Sequence, residues 1–100
     1  MYDISITYAE AQNLFWFSER GYFPEAVAVH IVSSVNEQVY QKYKLEKAPY
    51  LVRDIERYTV EIPEHIAWEL LEMEMEDEAF LTCMEESLAA RFLTLTNQIV

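Results

Sequence analysis

Few residues in this chain could carry out chemistry: two histidines, one cysteine and eighteen carboxylates. His65 has Glu61 and Glu69 four positions away on either side, a spacing at which a carboxylate can support an imidazole on a helix. Zinc needs three or four ligands, mostly His or Cys, and the second histidine, His30, falls in a different predicted helix. Neither histidine completes a Glu-x-x-His pair. We therefore predict no metal site and no cofactor.

Nucleophilic catalysis has equally little support. Cys83 lies in a predicted helix among acidic and apolar residues, where its thiol should stay protonated and inert. Ser33, Ser34 and Ser87 would each need a histidine from another element as general base. The sequence contains no glycine-rich phosphate loop, no His-Glu-x-x-His and no nucleophile elbow. We therefore predict that the protein is not an enzyme.

The charge of the chain is strongly negative and unevenly distributed. The formal net charge is −11, and residues 61–86 hold ten of the eighteen acidic residues with no Lys or Arg. Such a charge opposes direct binding to nucleic acids or anionic membranes, and it attracts basic protein surfaces. No apolar stretch approaches the ~20 residues of a membrane span, and no secretory signal is visible. A lone cysteine also suits the reducing cytosol, so we predict a cytoplasmic protein.

The acidic block predicts a helix that begins at Pro63, because proline is favoured in the first turn. At about 100° per residue, an apolar sector forms that should face the core: Ile66, Leu70, Met73, Phe80, Met84 and Leu88. Asp77 interrupts this sector and predicts a bend near residues 76–78. The carboxylates form a candidate interaction face that consists of Glu61, Glu64, Glu69, Glu72, Glu76 and Glu78. Like charges repel at this spacing, so tertiary packing must hold the helix together.

Two groups of apolar residues are candidates for an interface. The acidic helix carries a second apolar stripe of Trp68, Leu71 and Met75, and the first predicted helix carries Trp16 and Phe17. Aromatic residues at helical spacing are usually core, so we favour packing within the chain for both groups. The alternative is a partner or a second subunit, since aromatic anchors dominate interface energetics.

Local signals define the remaining elements. Residues 2–6 and 58–62 alternate apolar and polar side chains, which predicts two short strands that pair either within one chain or between chains. Thr7 and Glu10 form a capping box and Gly21 a C-terminal stop, predicting a helix over 8–20. Further helices are predicted from Pro24 to about 45 and from Pro49, and residues 88–95 continue the last helix. The fold class is therefore mainly α: a compact single domain, 1–100, of four to five helices with one two-stranded ribbon.

Two functions are compatible with these features. The first is a non-catalytic binding module or inhibitor whose acidic face mimics nucleic acid and occupies a basic, nucleic-acid-binding target protein. Small acidic inhibitors that phages make against host defences share this broad composition, although no motif is shared. The second is a homo-oligomeric structural or adaptor subunit, such as a homodimer, in which the acidity serves only solubility.

Overall fold

The computed structural model describes residues 2–44, 56–72 and 86–99, and these ranges contain two strands and four helices. The chain is compact, with a radius of gyration of 13.1 Å, against about 13 Å for a folded domain of this size. This confirms the predicted mainly α fold with a short β-ribbon. The elements are β1 (Tyr2–Thr7), α1 (Tyr8–Glu19), α2 (Glu25–Tyr43), β2 (Arg57–Ile62), α3 (Glu64–Leu71) and α4 (Glu86–Ile99).

The two strands pair with each other in an antiparallel ribbon inside one chain. Ile4 stands opposite Val60, and the ladder extends to Thr7 opposite Arg57, one residue beyond the predicted strands. The alternating pattern buries one face of the ribbon against the helices and leaves the other to solvent, as predicted. The buried side chains are Ile4, Ile6, Tyr58, Val60 and Ile62.

Helix α1 begins and ends at the residues whose local chemistry predicts it. Glu10 donates its backbone N–H to the Thr7 hydroxyl at 3.2 Å, and Thr7 donates its own N–H to the Glu10 carboxylate at 2.9 Å, completing the capping box. At the other end, Gly21 has φ +80°. The N–H of Tyr22 bonds to the Phe17 carbonyl at 2.9 Å and that of Gly21 to the Ser18 carbonyl at 3.1 Å. This pair of bonds is a Schellman motif, which needs a residue of positive φ.

Helix α2 supplies the largest share of the core. Its buried residues are Val27, Ala28, Ile31, Val35 and Val39. Ahead of it, Phe23 meets Phe92 of α4 edge to face, with ring centroids 5.3 Å apart. Leu14 of α1, Leu70 of α3 and Leu88 of α4 complete the same core. No helix within the described ranges is both long and apolar enough to cross a bilayer.

Helix α3 ends at Leu71, where Glu72 takes the C-cap position. The predicted bend near residues 76–78 and the helix predicted from Pro49 lie outside the described residues. Pro63 occupies the N-cap of α3, one position before the first helical residue, and its carbonyl accepts the N–H of Ala67 at 2.9 Å.

Candidate protein-binding surface

One side of α3 is entirely solvent-exposed, and its residues define what we name the α3 surface. At 100° per residue these side chains occupy a continuous arc of about 140°. The opposite side holds buried Ala67 and Leu70, with Ile66 partly buried against the core. The amphipathic division therefore leaves a single outward face. The α3 surface consists of Glu64, His65, Trp68, Glu69 and Glu72.

Trp68 lies inside the α3 surface and is 55% exposed. Glu64 and Glu72 lie four residues before and after it, so a carboxylate borders the indole on each side along the helix. The prediction that Trp68 packs within the chain is wrong. Leu71, from the same predicted stripe, is only partly exposed. The two residues point about 60° apart on the helix and only Leu71 turns toward the buried side, so the predicted stripe runs from the exposed face toward the edge of the core.

The carboxylates of the α3 surface have no cationic partner among the described residues. The ion pairs within those residues are Lys42–Glu56 and Glu10–Arg91, and neither includes a carboxylate of α3. Glu69 and Glu72 also lie at the C-terminal end of the helix, where the helix dipole disfavours negative charge. The charges of Glu69 and Glu72 therefore do not stabilise α3. Glu61, just before the helix on β2, is likewise exposed and extends the negative surface.

The other apolar candidates divide between core and surface. Phe17 is partly buried and packs against the core. Trp16, its neighbour in α1, is 58% exposed, so the prediction that it belongs to the core is wrong. Of the remaining predicted site residues, Met75, Glu76 and Glu78 lie outside the described residues, as does Cys83.

A partly buried ion pair joins α1 to α4, and sequence reasoning missed it. Both nitrogens of the Arg91 fork contact the Glu10 carboxylate, with Nη1 at 2.9 Å from Oε1, and the side chains are only 17% and 13% exposed. Nη1 also donates to the Ser5 carbonyl at 2.6 Å. Burial alone would raise the pKa of Glu10, but hydrogen bonds from Arg91 and the Thr7 amide outweigh it and lower that pKa. The two partners lie 81 positions apart in the sequence, so no local pattern predicts the pair.

A second network surrounds Glu56, just before β2. Its carboxylate accepts from Lys42 Nζ at 2.8 Å, lies 2.7 Å from the Tyr43 hydroxyl and accepts from Tyr58 at 3.1 Å. Hydrogen bonds from Lys42 and Tyr43 lower the pKa of Glu56 to about 2. The same carboxylate raises the pKa of Tyr43. Lys42 therefore pairs next to the ribbon, and this network fixes the end of α2 to the start of β2.

A polar cleft of ≈ 530 Å³ separates α2 from the outer edge of β2. His30 Nε2 lies 2.7 Å from the Glu61 carbonyl oxygen, and Gln38 Nε2 donates to the Thr59 carbonyl at 2.9 Å. Ser33 and Ser34 also line it. A carbonyl oxygen can only accept a hydrogen bond, so the His30 imidazole donates its N–H to the edge of the strand.

The described residues do not bring together a set of groups suited to catalysis or metal binding. No three or more His, Cys, Asp or Glu side chains among them are placed to hold a metal ion. His65 is exposed and has no hydrogen bond to any described residue.

Comparison of this chain with family models, with curated proteins and with solved structures finds no match.

Proposed function

We propose that this protein is a non-catalytic protein-binding module that presents the α3 surface to a basic surface on its target. The observation that carries the proposal is the exposed Trp68, bordered by Glu64 and Glu72 on a helix face whose carboxylates have no cation among the described residues. A face that served only solubility would need no tryptophan. Tryptophan is enriched among the residues that dominate binding energy at interfaces.

The target is a protein with an apolar recess rimmed by Lys or Arg. An arginine of the target can stack on the Trp68 ring and pair with a neighbouring carboxylate, which combines a cation–π contact with an ion pair. The negative field of the whole chain adds attraction over a longer range and speeds encounter. A nucleic-acid-binding protein has such a basic surface, so the proposed action is inhibition by occupying it. The lone cysteine, Cys83, supports the proposal that this action takes place in the reducing cytosol.

Affinity capture from cell extract tests the proposal with the variant E69K/E72K. Both substitutions lie at the C-terminal end of α3, where a positive charge suits the helix dipole, so the fold should be retained. The wild-type chain should retain basic proteins at about 0.1 M NaCl and release them near 1 M, where the Debye length falls to about 3 Å. The variant should not retain them. W68A should weaken capture without changing the net charge.

The matched control is E19K/E37K, which reverses two exposed carboxylates on α1 and α2 and gives the same net charge. It should capture the same proteins as the wild type. If E69K/E72K retains the wild-type set, the α3 surface is not the binding site. If the control loses binding as fully as E69K/E72K, only total charge matters and the role of a defined surface is refuted.

The second candidate function is a homo-oligomeric subunit, and the 58% exposed Trp16 favours it. The exposed residues around Trp16 on α1 are Asn13, Glu19 and Arg20, whose charges cancel. Two copies can therefore approach through α1 without the repulsion that would oppose contact between two α3 surfaces.

Light scattering after size-exclusion chromatography at high salt tests this alternative. A dimer that persists at high salt in the wild type and becomes a monomer in W16A would establish α1 as the subunit interface. W68A is the control, because it removes the other exposed tryptophan. The same mass for wild type and W16A would remove the support for this function.

A further inference from the structure

Two backbone carbonyls on the outer edge of β2, the edge that faces away from β1, already accept hydrogen bonds. The carbonyls of Thr59 and Glu61 accept hydrogen bonds from side chains of α2 and not from a neighbouring strand. In an antiparallel strand, alternate residues direct both N–H and C=O to the same side. Arg57, Thr59 and Glu61 therefore present their backbone groups to this edge.

The two side chains that cover this edge lie outside the core. Gln38 and His30 are only partly buried and do not belong to the buried face of α2. The β1 edge differs, because Arg91, which bonds the Ser5 carbonyl, is fixed in place by its partly buried pair with Glu10. On the β1 edge the Ser5 carbonyl is thus bonded by an ion-paired arginine, whereas on the β2 edge the carbonyls of Thr59 and Glu61 are bonded by side chains that form no ion pair with any described residue.

The sequence of β2 is self-complementary about Thr59. If two β2 strands pair antiparallel with Thr59 opposite Thr59, Arg57 of each copy stands opposite Glu61 of the other. The same register places Tyr58 opposite Val60, an aromatic and β-branched pair on the core side of the sheet. Opposite charges and aromatic pairs of this kind stabilise cross-strand contacts. Arg57, Thr59 and Glu61 are all exposed, so the charged pairs would form on the solvent face.

We propose that the outer edge of β2 pairs with the same edge of a second copy of this chain, and that His30 and Gln38 hold this edge closed. Opening exposes a row of backbone groups that another strand can complete, as unprotected sheet edges do. The product is a four-stranded antiparallel sheet with a two-fold axis at Thr59, an isologous contact. This pairing uses neither the α3 surface nor Trp16, so it is independent of both functions proposed above.

The variant H30A/Q38A tests the proposal by removing both covering side chains. Sedimentation equilibrium should show self-association with a Kd at least about tenfold lower than that of the wild type, since each lost hydrogen bond no longer competes with strand pairing. The matched control is S33A/N36A, which alters two exposed polar residues on the same helix that donate no bond to β2. It should associate as the wild type does. Self-association of H30A/Q38A at the wild-type level would overturn the proposal.

Charge reversal on the strand then tests the register. Adding R57E to H30A/Q38A places like charges opposite each other and should abolish the gained association. Adding R57E and E61R together exchanges the two charges and should restore it. Association that ignores R57E would show that another surface is responsible, and would overturn the proposed pairing.

Two further measurements separate this pairing from other outcomes. If circular dichroism shows that H30A/Q38A does not fold, the single variants H30A and Q38A replace it. Each single variant frees one carbonyl of β2 and should raise self-association to a level between those of the wild type and H30A/Q38A. No rise in either would overturn the proposal. Addition of W16A should leave the gained association intact, and its loss would place the contact on α1 instead of β2.

Discussion

The carboxylate of Glu10 connects three elements, because it closes the capping box of α1, pairs with Arg91 of α4 and through that arginine reaches the Ser5 carbonyl of β1. Removing the arginine alone leaves a carboxylate that is 13% exposed without its cation. We expect R91M to lower the free energy of unfolding by about 3 kcal/mol, the range seen when one partner of a buried pair is removed. Urea denaturation followed by circular dichroism measures this change.

The double variant E10Q/R91M is the control, since it leaves no unpaired charge and glutamine keeps the acceptor of the capping box. It should lose clearly less stability than R91M. An R91M midpoint equal to that of the wild type would contradict a stabilising role for the pair.

Glu56 makes stability depend on acid pH in a defined direction. Its folded pKa is about 2, below its ordinary value of 4.5, so its carboxylate contributes stability that is fully present above pH 4.5. That contribution is lost as pH falls through about 2, because the unfolded state binds the proton more readily. Urea midpoints of wild type and E56Q should therefore differ at pH 6 and converge as pH falls from about 4.5 to about 2. E19Q, at an exposed site, is the control, and a wild-type to E56Q difference that does not change with pH would contradict the assignment.

The elements begin and end where local chemistry is strong, and this made them predictable. The Thr7 capping box, Gly21 and Pro24 fix the boundaries of α1 and α2 through two hydrogen bonds, one positive φ and one missing N–H. The end of α3 at Leu71 had no such signal, because neither glycine nor proline follows Leu71 and the helical period continues past it. The neighbours that Trp68 and Leu71 meet were also not predictable. Periodicity gives the direction of a side chain and not the neighbour that it meets.

The N-cap of α1 gives a prediction at this scale. T7A removes the hydroxyl that accepts the Glu10 N–H and leaves that donor without its partner. We expect a loss of about 1 kcal/mol in the free energy of unfolding, and T7S should restore most of it because serine keeps the acceptor. Urea denaturation of the three proteins tests this, and equal midpoints for T7A and T7S would mean that the cap does not stabilise α1.

At the scale of the whole molecule, composition predicted the negative sign of the α3 surface, but only the tertiary structure defined which residues form it. The acidic block is visible in the sequence as a run of Glu. In the structure its described carboxylates lie on one face of α3, because Ala67 and Leu70 on the other side are buried. The exposure of Trp16 and Trp68 was not predictable, since it depends on which helices lie beside them. Pairs of residues far apart in the sequence, such as Glu10 and Arg91, cannot be predicted from the residues next to each of them.

The negative charge of −11 has a consequence for stability that salt can reveal. E69K/E72K removes two carboxylates from the C-terminal end of α3, where the helix dipole and the other acidic groups both disfavour them. At about 0.1 M NaCl we expect the Tm of this variant to exceed that of the wild type by about 3 °C, and near 1 M this difference should shrink because exposed charges are screened. The loss caused by R91M should persist in high salt, since buried pairs are screened much less. Thermal unfolding of the three proteins at both salt concentrations tests this contrast. A Tm of E69K/E72K below that of the wild type would show that these carboxylates stabilise the fold, and would weaken the case that they are kept for binding.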